Sequence, residues 1–377
     1  METYDVIIVG AGPAGTATAL HLQQLAPELA ERTLVLEKSR HPRTKLCGGG
    51  ILPDGLRILQ RLGLDFNEVP STRVPRAHFE FDGRGTVLTG KGAESLHVVL
   101  REDLDAWLAR KTQERGVALR EETPVRRIIP GESFVTVVTA DGEYRARVVV
   151  GADGAHSVVR RAIAPHQRVP YSRALVLWVP PKPESSSHAP EDAYFDFTCI
   201  REGVPGYIWD FPILVHGQPM RCWGIGDVNM DSRRTRPLRV LLSQEMARHG
   251  YRLEDYPLYG ESVPHFSVRN VFSAPHILLV GDAIGVDILY GEGIAPALGY
   301  GQLAAQAIVD AFARGDFSFR DYRERVLQSP LGRVLRRRAL TANLIFRLRH
   351  PAMQQLVWWR SGRFLQTITD RFLTNWA

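Results

Sequence analysis

Tyr4-Asp5-Val6-Ile7-Ile8-Val9-Gly10-Ala11-Gly12-Pro13-Ala14-Gly15 is the stretch that decides the fold: an apolar strand runs directly into Gly-x-Gly-x-x-Gly. Gly10 permits a tight turn, Gly12 lets the backbone approach a pyrophosphate, and Gly15 lets the next helix pack on the strand. The helix N-terminus offers N–H groups to the anion. Glu37 closes the next apolar run, where it can accept hydrogen bonds from ribose hydroxyls. The pattern predicts a Rossmann-like domain that binds a dinucleotide.

Two later segments distinguish between NAD and FAD, which share this cradle. One apolar strand ends in Asp153-Gly154, and another ends in Gly281-Asp282. Each segment places a carboxylate at the carboxyl end of a strand, where open α/β sheets bind ligands. This arrangement favours FAD.

In these three motifs the chain resembles the flavoprotein monooxygenases and reductases with the para-hydroxybenzoate hydroxylase fold. The resemblance implies that Asp282 hydrogen-bonds the ribityl chain of FAD. It also implies that the Asp153-Gly154 turn supports the pyrophosphate and the passage of a nicotinamide donor, and that Arg101 contacts FAD. Without the motifs, Arg101 would be interpreted as a solvated arginine in the first turn of a helix.

Three further elements resemble the geranylgeranyl reductase family, whose members saturate isoprenoid double bonds. They are Lys45-Leu46-Cys47-Gly48-Gly49-Gly50, Tyr207-Ile208-Trp209-Asp210-Phe211-Pro212 and Gly291-Glu292-Gly293-Ile294. The resemblance extends from about Asp5 to Ala311. It departs at Ile213, where the family usually has a lysine, and at residues 285–290, where a proline generally stands beside the flavin. The resemblance implies FAD binding and leaves the substrate open.

The residues expected to contact FAD lie in or beside these motifs. They are Gly10, Gly12, Ala14, Gly15, Glu37, Lys38, Cys47, Gly48, Gly49, Arg101, Val125, Asp153, Gly154, Gly281, Asp282, Gly291, Gly293 and Ile294. The glycines at 48–50 leave the backbone free to lie against a flat ring, although a glycine run alone is usually a flexible loop. No metal site is expected, because the cysteines Cys47, Cys199 and Cys222 lack metal-ligand spacing.

Aromatic residues alternate along the segment that contains Tyr207, Trp209 and Phe211. On a strand this period places all three rings on one face. Such a stripe is more often core than channel, and the family resemblance favours a channel for an apolar isoprenoid substrate. Tyr207 and Trp209 are therefore candidate catalytic residues. For the proton donor we expect Cys47, with Tyr207 and Tyr290 as alternatives.

The expected function is FAD-dependent reduction of carbon–carbon double bonds in an isoprenoid, with NAD(P)H or another reductant as electron donor. One alternative is an FAD-dependent monooxygenase that acts on an apolar substrate. A halogenase is less favoured, since only Trp209 and Pro212 match its Trp-x-Trp-x-Ile-Pro element. A non-enzymatic prenyl-binding escort is a further alternative, against which the complete cofactor motifs argue.

The 377 residues, of which 44% are hydrophobic, suffice for two interleaved domains of an α/β protein. We expect the Rossmann-like FAD-binding domain to comprise residues 1–70, 96–165 and 268–330. Residues 71–95 and 166–267 should form a substrate domain built on an antiparallel sheet. Residues 331–377 should form a C-terminal basic helical segment.

That last segment carries arginines interleaved with apolar residues, and its only acidic residue is Asp370. The arginines are Arg333, Arg336, Arg337, Arg338, Arg347, Arg349, Arg360, Arg363 and Arg371. A basic amphipathic segment can lie on an anionic membrane surface, or it can pack on the FAD domain with its arginines facing water. Nucleic-acid binding is not expected.

The start of the sequence has no secretory signal, and no apolar stretch is long enough for a membrane span. The odd cysteine count argues for a reducing compartment. We therefore expect a cytoplasmic protein, either free or associated with the membrane periphery.

Overall fold

The structure, a computed structural model, describes residues 1–90, 95–182, 188–229, 236–348, 350–360 and 375–377. Its strands are β1 (Glu2–Val9), β2 (Thr33–Leu36), β3 (Gly50–Ile51), β4 (Ser71–Val74), β5 (Arg76–Phe81), β6 (Arg84–Thr89), β7 (Leu96–Val99), β8 (Ala118–Arg120), β9 (Arg127–Ile129), β10 (Val135–Val138), β11 (Glu143–Gly151), β12 (Tyr171–Val179), β13 (Ala193–Asp196), β14 (Gly206–Val215), β15 (Gln218–Asp227), β16 (Tyr259–Pro264), β17 (Ser273–Ala274) and β18 (Ile277–Leu279). Its helices are α1 (Pro13–Leu25), α2 (Pro27–Ala30), α3 (Pro53–Arg61), α4 (Arg101–Glu114), α5 (Val158–Ile163), α6 (Leu238–Arg248), α7 (Ile294–Arg314), α8 (Tyr322–Gln328), α9 (Pro330–Arg347) and α10 (Pro351–Arg360).

The first sheet has the strand order β17-β18-β11-β1-β2-β8, with β10 and β9 continuing from β11. Strand β1 pairs in parallel with both β11 and β2. Its apolar end is fully buried, because helices cover the centre of a parallel sheet on both faces. Helices α1 and α7 pack so closely that a Cβ on Gly301 would lie 2.7 Å from the Cβ of Ala17. The predicted α/β fold with a Rossmann-like domain is confirmed.

The second sheet has the order β16-β12-β15-β14-β13-β5-β6. Its pairs are antiparallel as expected, except that β13 runs parallel to β5. The sequence has an apolar, strand-like run over residues 193–200. Strand β13 takes only the first half of this run, and a 3-10 turn at Thr198–Ile200 follows it. Cys199 therefore lies buried in a turn, whereas Cys222 lies buried in β15.

A small antiparallel sheet in the order β3-β7-β4 connects the two larger ones. It pairs β4, from a segment assigned to the substrate domain, with β7, from a segment assigned to the FAD-binding domain. The proposed domain boundaries fall beside this sheet, and they stay a prediction.

Helix α9 packs on both larger sheets, and not on the FAD-binding domain alone. In α9, Leu331 and Leu335 join the core of the first sheet, whereas Ala342 and Phe346 join that of the second. Arg338 was expected to face water or a membrane, but it is fully buried. The reason is electrostatic, because two carboxylates lie within ion-pair distance of its guanidinium group.

Other predictions for the tail lie outside the described residues. They concern Arg349, Arg363, Asp370 and Arg371. In the part of the chain that the structure describes, no helix is both long enough and apolar enough to span a bilayer.

Candidate active site

A cavity of about 1230 Å³ lies between the two larger sheets. Of the predicted cofactor-binding and catalytic residues, all but Gly15 and Gly281 line this cavity, including Lys38 and Val125. The volume exceeds the roughly 300–1,000 Å³ of an ordinary ligand pocket. The cavity is therefore large enough for two ligands to lie side by side.

The glycines at the start of α1 have separate structural roles. Gly10 has a φ of +104°, and a Cβ there would lie 2.4 Å from the carbonyl oxygen of Ala152. A Cβ on Gly15 would lie 1.9 Å from the carbonyl oxygen of Gly10, so this glycine serves the contact between helix and strand. Gly12 differs, since a Cβ there would meet no protein atom closer than 3.6 Å. Gly12 thus leaves its backbone open to a ligand.

Glu37 is buried at the end of β2 and lines the same end of the cavity. Its Oε2 accepts a hydrogen bond of 2.8 Å from the backbone N–H of Ala11, and its Oε1 accepts one of 3.1 Å from that of Ser39. A carboxylate offers about four acceptor positions. Glu37 therefore braces the glycine turn and keeps acceptor positions for ribose hydroxyls.

Two arginines stand beside Gly12. Arg101 forms a bidentate ion pair with Asp105, with both N···O distances at 2.8 Å, and Arg43 reaches the same carboxylate at 3.0 Å. Burial lowers the pKa of Arg101, but Asp105 more than offsets this and raises it above its ordinary value. Arg43 and Asp105 were missed at the sequence level, because neither belongs to a recognised motif. Together with the N-terminus of α1, the guanidinium groups form a site for an anion.

The two motif aspartates have different surroundings. Asp153 accepts hydrogen bonds from the hydroxyl of Ser157 at 2.5 Å and from the backbone N–H of Val158 at 2.6 Å, so it braces its own turn. The carboxylate of Asp282 accepts no hydrogen bond from the described residues, although its backbone carbonyl accepts one of 3.5 Å from Arg160. Burial raises its pKa, while Lys45 and Arg101 oppose the rise. A half-buried carboxylate at a cavity wall is suited to accept hydrogen bonds from a polyol.

The glycine run begins the connection to the small sheet. Gly49 has a φ of +77°, and a Cβ there would lie 2.2 Å from the carbonyl oxygen of Val99. The fold therefore requires glycine at this position. A Cβ on Gly48 would lie 3.4 Å from the ring of Phe211. Cys47, which precedes the run, is half-buried at the cavity wall.

Strand β14 supplies an aromatic wall through Tyr207, Trp209 and Phe211, which all line the cavity. The indole of Trp209 lies over Gly224 on β15, where a Cβ would approach the ring to 2.1 Å. The hydroxyl of Tyr207 donates a hydrogen bond to the backbone carbonyl of Tyr290. Burial raises the pKa of Tyr207 well above its ordinary value. Gly224 was missed at the sequence level, and its only signal was a Gly-x-Gly alternation within a strand.

The cavity therefore has two chemically distinct parts. The polar part, at the N-terminus of α1, fits the pyrophosphate and ribose of FAD, and Asp282 fits its ribityl chain. The aromatic part, on the second sheet, fits an apolar chain. When bound, FAD would supply redox chemistry where the two parts meet, beside Cys47 and Gly48.

The chain is similar to known flavoproteins in both sequence and fold. Residues 3–200 match the family model described as FAD binding domain. A digeranylgeranylglycerophospholipid reductase of Thermoplasma volcanium is 28% identical over 333 residues, covering 84% of this chain and 81% of the relative. The menaquinone reductase of Mycolicibacterium smegmatis is 29% identical over 337 residues, which cover 80% of this chain and 75% of the relative.

Among solved structures, a geranylgeranyl bacteriochlorophyll reductase-like protein from Thermoplasma acidophilum superposes with a TM-score of 0.77. The match covers all of this chain and 92% of that protein, at 24% identity. At this identity the likeness concerns the fold.

Proposed function

Since the chain belongs to the geranylgeranyl reductase family of FAD-dependent oxidoreductases, we propose that it reduces carbon–carbon double bonds of an isoprenoid chain. The observation that carries the proposal is the aromatic wall of β14 in the same cavity as the dinucleotide cradle. Reduced FAD would supply a hydride to one carbon of the double bond, and the electrons would come from NAD(P)H or another reductant. The protein would supply orientation, a dry channel and a proton.

The residues of the aromatic wall would orient the chain. The indole of Trp209 packs against the backbone of Gly224 on β15, so closely that a Cβ there would lie 2.1 Å from the ring. Phe195 packs against both Tyr207 and Phe211, with ring centroids 5.4 and 4.9 Å apart. A fixed apolar surface excludes water and binds a prenyl chain without hydrogen bonds.

For the proton, Cys47 is the sequence-based candidate, with Tyr207 and Tyr290 as alternatives. The hydroxyl hydrogen of Tyr207 is engaged by the carbonyl oxygen of Tyr290. The raised pKa of Tyr207 makes it a weak acid. These two observations favour Cys47 over Tyr207 as the proton donor.

We also propose that the surface of α9 and α10 contacts an anionic membrane. Arg336, Leu340, Leu344 and Arg347 follow one another at helical spacing along α9, and all four are exposed. The two leucines have exposed fractions of 72% and 63%. On α10, Met353 and Leu356 are exposed in the same way. Apolar side chains flanked by arginines suit the boundary between acyl chains and anionic headgroups.

Analysis of the products formed with and without oxygen tests the reductase proposal. The relatives are named for two different lipids, so the enzyme is supplied with a reductant and either a geranylgeranyl compound or menaquinone. We expect products heavier by two hydrogens per saturated bond without oxygen. A product that forms only with oxygen, and is one oxygen heavier, would instead establish a monooxygenase.

A further inference from the structure

A buried ionic cluster stands at the wall of the cavity beside the aromatic residues. It consists of Asp287 and Glu292, which follow the Gly-Asp motif, and Arg338, which comes from α9. All three side chains are nearly inaccessible to water. Glu292 also lines the cavity, and the neighbouring Gly291 lies beside the hydroxyl of Tyr207.

The charges of this cluster do not balance when both acids are ionised. The carboxylates of Asp287 and Glu292 raise the pKa of Arg338 above its ordinary value against the lowering effect of burial, so the guanidinium stays charged. Among the described residues of the cluster, one cation then faces two anions in a site that is almost fully buried. Because an uncompensated buried charge is costly, the neutral form with one proton on a carboxyl group is favoured.

The hydrogen bonds decide which carboxyl group carries that proton. Asp287 accepts bonds from two backbone N–H groups, Leu289 at 2.8 Å and Tyr290 at 3.1 Å, and such bonds favour the charged form. From the described residues, Glu292 accepts one backbone bond, a longer one of 3.3 Å from Leu52, besides the contact of 2.7 Å with Arg338. The charged form of Glu292 therefore has less support from backbone N–H groups, which makes Glu292 the candidate for the proton.

The effect of the other nearby charged groups also favours the protonated form of Glu292. Burial raises the pKa of Glu292 to about 7, and Asp287 and Asp54 add to the rise, while Arg338 opposes it. Asp54, on α3, is itself compensated by Arg57 at 3.1 Å. The ring of Tyr290 lies 5.3 Å from the guanidinium carbon of Arg338.

We propose that Glu292, in place of the sequence-based candidates Cys47, Tyr207 and Tyr290, holds an exchangeable proton in this cluster and supplies it to the substrate during double-bond reduction. The inference rests on the proposed function for its second half. When bound, reduced FAD would supply a hydride to one carbon of the double bond, and the π electron pair would take the proton of Glu292 to form the second C–H bond. Glu292 is left as a carboxylate paired with Arg338, and it regains a proton from water before the next turnover.

Infrared spectroscopy of the holoenzyme labelled with 13C at its glutamate carboxyl groups tests the first half without turnover. We expect a protonated-carboxyl band that moves with the label and disappears with a midpoint near pH 7, as the pKa of Glu292 requires. The band should be absent from Glu292→Gln. It should persist in Asp196→Asn, which removes an acid of similar pKa outside the cavity. No label-sensitive titrating band in the wild type would overturn the proposal, whatever the variants do.

Rates test the second half. In Glu292→Gln that retains its FAD, we expect the substrate step to slow by roughly 10²-fold or more and to lose its decline above neutral pH. An unchanged rate and pH profile would overturn the proposal and leave the reductase function standing. If the wild type reduces no prenyl compound, the proposed function fails, and the infrared titration still decides whether Glu292 holds the proton.

Discussion

Three glycines in one turn have three different reasons to be glycine. Gly10 needs its positive φ, Gly15 leaves room for the contact between α1 and β1, and Gly12 alone leaves room for a ligand. A single sequence motif therefore contains two residues that the fold requires and one that binding requires. Substitutions at these positions should separate folding from cofactor affinity.

Gly12→Val should fold and fail to bind FAD. Its backbone φ of −76° suits any residue, and its Cβ would meet no close protein atom. The added side chain would instead occupy the space of the pyrophosphate. We expect a loss of at least about tenfold in FAD affinity, equivalent to about 1.4 kcal/mol, with a nearly unchanged melting temperature. Gly10→Val is the contrasting variant, which should unfold, and a Gly12→Val protein with full FAD content would show the cradle assignment to be wrong.

A second residue-level prediction concerns pH and stability. Burial and the nearby Glu245 raise the pKa of Asp196 from 3.8 to about 7 in the folded state. The native state then binds more protons than the unfolded state between these values, so stability falls as pH rises from about 4 to about 7. The slope is at most about 1.4 kcal/mol per pH unit for one proton. Urea unfolding should show a shallower slope in Asp196→Asn, and equal slopes would contradict the raised pKa.

Single residues within motifs could be predicted from the sequence, whereas the residues that pair with them in space could not. Gly12, Asp153 and Asp282 could be predicted because spacing along the chain expresses their geometry. Arg338 could not, since an arginine that pairs with acids about fifty positions away has the same local pattern as an exposed one. Its burial depends on where α9 lies, which no local signal records.

At the scale of elements, β14 and β15 form the aromatic wall together. The period-two pattern of β14 predicts three rings on one face, but it cannot predict the partner strand that sets their orientation. On β15, Gly224 and Gly226 face Trp209 at different distances. These two glycines provide a matched pair of variants.

Gly224→Ala should displace the indole of Trp209, because the new Cβ would lie 2.1 Å from the ring. We expect slower transfer to substrate, with flavin reduction by the donor little changed, as for Trp209→Ala. Gly226→Ala is the control, since its Cβ would sit at an ordinary 3.8 Å from the ring. Stopped-flow absorbance resolves the two half-reactions. Equal slowing of both half-reactions in Gly224→Ala would argue against a substrate role for the wall.

The surface of α9 and α10 gives the second element-level prediction. Leu340→Glu combined with Leu344→Glu should weaken association with anionic vesicles, and wild-type association should fall as salt rises. Val240→Glu, at an exposed position on α6, is the matched control and should bind like the wild type. Co-sedimentation at several salt concentrations measures the effect. Vesicle binding that the double variant retains would leave α9 as a packing helix only.

In the molecule as a whole, α9 links the cores of both sheets and pairs Arg338 with Glu292, which lines the cavity between them. The fold class could be predicted from the order of motifs, because each strand ends at the ligand-binding edge of one parallel sheet. The cavity's aromatic half depends on how a second sheet packs over that edge. Only the three-dimensional structure supplies that arrangement.

The central claim is that reduced FAD and a prenyl chain meet in this cavity. The most direct measurement mixes anaerobically reduced holoenzyme with a geranylgeranyl compound and follows the flavin absorbance in a single turnover. We expect the oxidised spectrum to return, with one saturated bond formed per flavin and a slower return in Trp209→Ala. A reduced spectrum that persists with prenyl compounds, and returns to the oxidised form only when oxygen is admitted, would contradict it.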